Sequence, residues 1–201
     1  PVVRLATLRS MRRIWVFLTL ASAAFGQGLA ADFAQSVKQW TTKPEFSSPL
    51  VDHLPLVQGI PTPKDVLGYH VGTPNKLIGT VIRLRYFEAL SKASKRVRIL
   101  EVGQTDEGRP CWSAVIGDEA TMASVDTYKC YLAKLADPRG MSDAEARSVL
   151  DKAKPVYHIT GGLHSSETGP PELLMELAYR FVAEDGPLYD GIRENLIVMI
   201  T

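Results

Sequence analysis

The sequence predicts an α/β fold, a mixed parallel and antiparallel sheet flanked by helices and incomplete at its C-terminus. Three observations predict it. Two short β-rich runs, 97–102 and 111–117, flank an Asp106-Glu107-Gly108 turn and read as an antiparallel hairpin. A strand at 156–161, a helix after Thr168 and an apolar run at 195–201 form a βαβ unit, whose two strands run parallel through a right-handed crossover. Ahead of the hairpin, Leu77, Ile78, Val81, Ile82 and Leu90 recur at helical spacing.

Composition sets wide bounds. A length of 201 residues suits about one domain, and 45% apolar with 22% charged residues is ordinary for a globular chain. The net charge is +1, and no basic patch interleaved with aromatics occurs, so a nucleic-acid partner has no support.

Residues 1–31 read as upstream sequence followed by a secretory signal peptide. Met11-Arg12-Arg13 supplies a basic start, and the apolar run 14–24 ends in small residues, with cleavage expected near Gly26 or Ala31. That run falls short of the roughly 20 residues a membrane span needs, so no stable membrane anchor is expected. The protein is therefore expected to be secreted or periplasmic. Export would place Cys111 and Cys130 where a disulfide persists. A bridge and two unrelated thiols, with Cys111 buried in a strand, both stay open, because sequence carries no Cβ geometry.

Residues 32–63 are rich in proline, serine and threonine and show little periodicity, so they read as an extended lead-in closed by Pro61-Thr62-Pro63. A helix is expected from Thr73-Pro74, with threonine as N-cap and proline in the first turn, ending near Lys92, Lys95 and Arg96. After the hairpin, 127–136 reads as helix and 137–140 as a turn. Ser142 and Glu145 then open a second helix with capping-box spacing. Thr168 is the expected cap of the crossover helix, whose buried stripe would be Leu173, Leu174, Leu177, Ala178, Phe181 and Val182, with Asp185-Gly186-Pro187 as its stop. The final apolar run reads as a strand buried on both faces, which needs neighbours on each side. The chain is thus expected to be the N-terminal part of a longer protein.

The chemistry concentrates where strand 156–161 runs into Gly161-Gly162-Leu163-His164-Ser165-Ser166-Glu167. A histidine and a carboxylate three residues apart can converge on one divalent ion, as two of the three protein ligands of a catalytic zinc. Loops at the carboxyl ends of strands are where open α/β sheets bind ligands. The following helix N-terminus favours an ionised Glu167. Other candidates fit less well. His158 lies six residues away along a strand and reads as a sheet-face histidine. His53 and His70 lie in or near the lead-in, Glu172 suits complementation of the helix dipole, and Ser165 and Ser166 lack a nucleophile elbow. Glu107 and Arg109 read as bonding within their turn.

Strand, Gly-Gly-x-His-x-x-Glu and helix, together with the upstream Gly103-Gln104-Thr105-Asp106-Glu107-Gly108-Arg109, resemble the zinc carboxypeptidases of the M14 type. The resemblance covers residues 64–201, the N-terminal part of such a catalytic domain. It implies a Zn2+ cofactor with His164 and Glu167 as metal ligands. It further implies hydrolysis of C-terminal bonds in a peptide or protein substrate by a metal-activated water. The third ligand, the general base and the carboxylate-binding arginines would lie beyond Thr201, leaving the fragment alone inactive. A related zinc amidohydrolase or deacylase, and a non-catalytic exported protein, are the alternatives.

Overall fold

The computed structural model describes residues 27–201. The expected signal peptide, apart from its last few residues, lies outside them. The described chain starts with strand β1 (Gly28–Leu29), which pairs antiparallel with β2 (Pro55–Leu56). Between them runs helix α1 (Ala31–Trp40). The lead-in is therefore not extended throughout. Phe33 and Val37, one helical turn apart, face inward, and Phe33 and Leu54 are buried in the main core. The fold also begins ahead of residue 32, because the Gln27 side chain donates to the carbonyl of Ala183 at 2.7 Å.

Helix α2 (Pro63–Leu67) opens with a full capping box. The Asp65 carboxylate accepts from the Thr62 amide at 2.8 Å, the Thr62 hydroxyl accepts from the Asp65 amide at 3.3 Å, and Gly68 closes the turn at φ 82°. A polar clasp holds α1 to this unit. Asp32 accepts from the ammonium of Lys64 and from His70 Nε2 at 2.9 Å, while Phe33 stands edge-on to the His70 ring at 5.2 Å. The Lys64 hydrogen bond and then that of His70 pull the Asp32 carboxyl down to about 2. A depressed carboxylate contributes stability above its unfolded value of about 3.9 and loses it as pH falls toward the folded value. Amide-exchange protection of α1 is expected to fall between about pH 4 and pH 2. In Asp32→Asn it is expected to be weaker and free of that step. Matching pH profiles in the two proteins would contradict the clasp.

Helix α3 (Thr80–Ala93) precedes the hairpin strands β3 (Val97–Gln104) and β4 (Pro110–Ile116). Gly108 at φ 75° makes the tight turn, across which Arg109 and Glu107 form an ion pair. Helices α4 (Glu119–Ala123), α5 (Val125–Ala136) and α6 (Asp143–Leu150) then lead to strand β5 (Val156–Ile159). Ser142 caps α6 through the Glu145 amide at 3.3 Å. Helices α7 (Gly169–Ala183) and α8 (Pro187–Asn195) carry the chain to β6 (Ile197–Ile200).

The sheet order is β3-β4-β6-β5, with β6 antiparallel to β4 and parallel to β5. The expected mixed sheet and parallel βαβ pair are both present. Ile197, Val198 and Ile200 of β6 are buried, whereas Val156 and Tyr157 of β5, at the sheet edge, are exposed.

Three expectations need correction. Helix α3 starts at Thr80, because Thr73 bonds back to the His70 carbonyl through both its amide and its hydroxyl, and Asn75 adopts φ 61°. Leu77 and Val81 are consequently exposed, and α3 buries Tyr86, Phe87 and Leu90 instead. Second, a further helix, α8, stands between the stop at Asp185-Gly186-Pro187 and β6, with Tyr189 and Arg193 turned inward. Third, the crossover helix buries Leu174, Met175, Ala178, Tyr179, Phe181 and Val182, while Leu173 is 54% exposed. Helix α7 is covered by the sheet on one side and by the N-terminal unit on another, where the Tyr179 hydroxyl donates to the Pro55 carbonyl at 2.7 Å.

The C-terminal carbonyls of α7 are met by side chains. Arg193 donates to Phe181 and Glu184, Arg96 to Val182 and Gln27 to Ala183, at 3.0, 2.7, 2.8 and 2.7 Å respectively. Two guanidinium groups thus sit at the negative helix pole, where orphan carbonyls need donors. One turn earlier, buried Arg180 bonds Glu176, Glu184 and the His53 carbonyl. Cys111 on β4 and Cys130 on α5 are both free thiols, so the bridge is not formed. Among the described residues, no helix is long and apolar enough to cross a membrane.

Candidate metal site

Strand β5 delivers the chain to Gly161 and Gly162 beneath the first turn of α7. A Cβ on Gly161 would stand 2.7 Å from Leu174 Cδ1 and 3.2 Å from the Pro170 carbonyl carbon. Gly162, at φ 75°, would put one 2.7 Å from Pro171 Cγ. The two glycines let α7 close over the strand end, which fixes where the next loop emerges. Gly162→Ala is expected to lose about 2–4 kcal/mol from strained backbone plus the ring contact. A urea melt checks this, with Gly140→Ala, which meets nothing within 4 Å, as the unchanged control.

The loop then turns back on itself, the Glu167 amide donating to the His164 carbonyl at 3.0 Å. That turn brings the two side chains together. His164 Nδ1 lies 2.6 Å from Glu167 Oε1, and Glu167 Oε2 accepts from the His164 amide at 3.4 Å. Both face solvent, with His164 at 71% and Glu167 at 41% exposure. Thr168 makes no side-chain cap to α7, contrary to expectation, and its backbone is already helical at φ −83°. Glu167 lies two residues before Gly169, the first residue of α7, and stays near its positive pole.

The pair fits a divalent cation. One imidazole nitrogen and one carboxylate oxygen form a donor set zinc accepts. Two ligand atoms roughly 2 Å from a tetrahedral ion stand about 3.3 Å apart, so the pair, now 2.6 Å apart, would open by about 0.7 Å. Torsion of two exposed side chains allows that. Among the described residues, no group of three or more His, Cys, Asp or Glu side chains converges on one point.

The remaining candidates separate cleanly. His158 on β5 bonds the Thr201 hydroxyl at 2.9 Å. His70 belongs to the Asp32 clasp, and His53 bonds Asp52 at 2.8 Å and sits 3.4 Å from Glu184. Glu172 does more than complement a dipole. It is buried, and its carboxylate accepts from the backbone amides of Gly72 at 3.4 Å and Ile78 at 3.3 Å, tying loop 72–78 to the first turn of α7. Sequence reasoning missed that link, since a carboxylate a hundred residues from its amide partners leaves no local signal.

Compared with known proteins, residues 84–200 match the model of the peptidase M14 family, the zinc carboxypeptidases. The match takes in more than half of the chain, including the β3–β4 hairpin and the loop from Gly161 to Glu167. No curated protein matches the chain.

Proposed function

Because the chain belongs to the M14 zinc carboxypeptidase family, we propose that it is the N-terminal part of an exported metallocarboxypeptidase in which His164 and Glu167 bind Zn2+. The family is zinc-dependent and hydrolytic. The observation that carries the reading for this chain is the 2.6 Å approach of His164 Nδ1 to Glu167 Oε1 at the carboxyl end of a parallel strand. The basic start at Met11 and the apolar run after it support export.

Each local feature then has a task. Gly161 and Gly162 bring the ligand loop under α7, the His164–Glu167 turn converges the two donors, and Glu172 steadies the helix turn beside them. Glu167 sits beside the positive pole of the α7 N-terminus. When bound, zinc supplies a Lewis acid for the scissile carbonyl and lowers the pKa of water. A third ligand and a proton-accepting base complete such a centre, and in this reading the rest of the protein contributes both.

The test uses the full-length protein and two peptides that differ only at the C-terminus, one a free carboxylate and one an amide. Chelator-sensitive release of the last residue from the free peptide alone supports a carboxypeptidase. Equal cleavage of the amide would favour a zinc amidohydrolase. Cleavage of neither, with no bound metal, would favour a non-catalytic protein.

A further inference from the structure

A cleft of about 330 Å³ lies beside the metal loop, between the first turns of α3, the β3–β4 hairpin and the Gly161-Gly162 strand end. We propose that it is a subsite for an acidic side chain of the peptide substrate, with Arg83 as its anchor. Its role toward substrate rests on the hydrolase reading above, since Gly162 in its wall is two residues from His164.

The lining has both an apolar floor and a cationic rim. Phe87 and Trp112 form the floor, their ring centroids 4.9 Å apart and their planes tilted by 51°, with Pro171 and Leu174 beside them. Arg83 and Arg109 are the charged side chains of the lining, which contains no aspartate or glutamate. Their situations differ. Arg109 is ion-paired with Glu107 across the hairpin turn, whereas half-buried Arg83 donates to the Thr80 hydroxyl at 3.0 Å and has no carboxylate partner among the described residues.

A guanidinium presents five N–H donors in a planar fork that matches a carboxylate. Arg83 commits one of them to Thr80, on its own helix turn. An aspartate or glutamate side chain has the matching form, an apolar stem to lie against the partly exposed Trp112, which Phe87 backs, and an anionic end to meet Arg83. Thr80, Thr105 and Thr201 add hydroxyls to the wall. Ligand sites commonly combine such apolar surface with a few converging polar groups.

The experiment uses full-length protein carrying His164→Ala, so that binding is read without turnover. Hexapeptides with a free C-terminus carry a single glutamate, or its glutamine isostere, at each position in turn. At one position, glutamate is expected to bind about tenfold more tightly than glutamine, the scale of a charge-assisted hydrogen bond. Arg83→Gln should erase that difference, with an unchanged circular dichroism spectrum, while Arg109→Gln keeps it. Equal affinities for glutamate and glutamine at every position, or a preference that survives Arg83→Gln, would overturn the proposal. Hydrolysis is measured separately with His164 intact. Its absence would sink the carboxypeptidase reading while leaving a measured Arg83-dependent preference standing.

Discussion

Replacing His164 by alanine in the full-length protein is expected to lower kcat/KM on a free C-terminal peptide by at least about a thousandfold, equivalent to roughly 4 kcal/mol of transition-state stabilisation. The reason is local. His164 Nδ1 is one of two convergent donors in the loop, and without it Glu167 faces solvent as a single monodentate or bidentate carboxylate. A catalytic zinc uses three protein ligands, so with His164 as one of them, as proposed, its loss loosens the hold on the ion. Stability should respond quite differently. At 71% exposure the imidazole buries little, so the unfolding free energy of the metal-free protein, read from a urea melt, is expected to change by less than about 0.5 kcal/mol. Lost activity with an intact melt separates a ligand from a scaffold residue. Retained activity would remove His164 from the metal centre.

The largest stability effect is expected from Arg180→Met. Arg180 is 2% exposed and bonds Glu176 at 2.9 and 3.0 Å, Glu184 at 2.9 Å and the His53 carbonyl. Removing one member of a buried ion pair strands the other, at a cost of about 3–5 kcal/mol. Burial already pushes the Glu176 carboxyl upward, against the pull of Arg180. In the variant nothing offsets that burial, so the carboxylate form becomes the costly one. A group whose folded pKa is raised is least destabilising when protonated, so the defect should be greatest at neutral pH and shrink on acidification. Thermal midpoints should drop by on the order of 10 °C at pH 7. The double variant Arg180→Met/Glu176→Leu should recover much of the loss, since an apolar pair can replace a buried ion pair at little cost. Equal destabilisation in single and double variants would show that the coupling is absent.

Much of the architecture was legible because local patterns agreed with the tertiary fold. The His164–Glu167 turn depends on residues three positions apart, and the hairpin and the βαβ unit on neighbouring elements that each carry their own local pattern. What sequence hid depends on distant partners. Residues Glu172, Glu176 and Arg180 form an i, i+4 polar stripe on α7, which amphipathic logic turns toward solvent. The N-terminal unit covers that stripe and bonds it, so the helix buries its charges and leaves Leu173 exposed. Helix α1 escaped notice because two inward apolar residues, Phe33 and Val37, sit in a stretch dominated by polar and small side chains. The start of α3 was misplaced for a third reason. Thr73-Pro74 has the chemistry of a helix N-terminus, yet Glu172 captures the amides of Gly72 and Ile78 and holds that loop open.

The most direct measurement is anomalous diffraction at the zinc edge from crystals of the full-length protein. One strong peak per chain is predicted within bonding reach of both His164 Nδ1 and Glu167, lost in His164→Ala. A zinc-saturated protein whose peak lies elsewhere, with the His164–Glu167 hydrogen bond intact, would contradict the metal site at the end of β5.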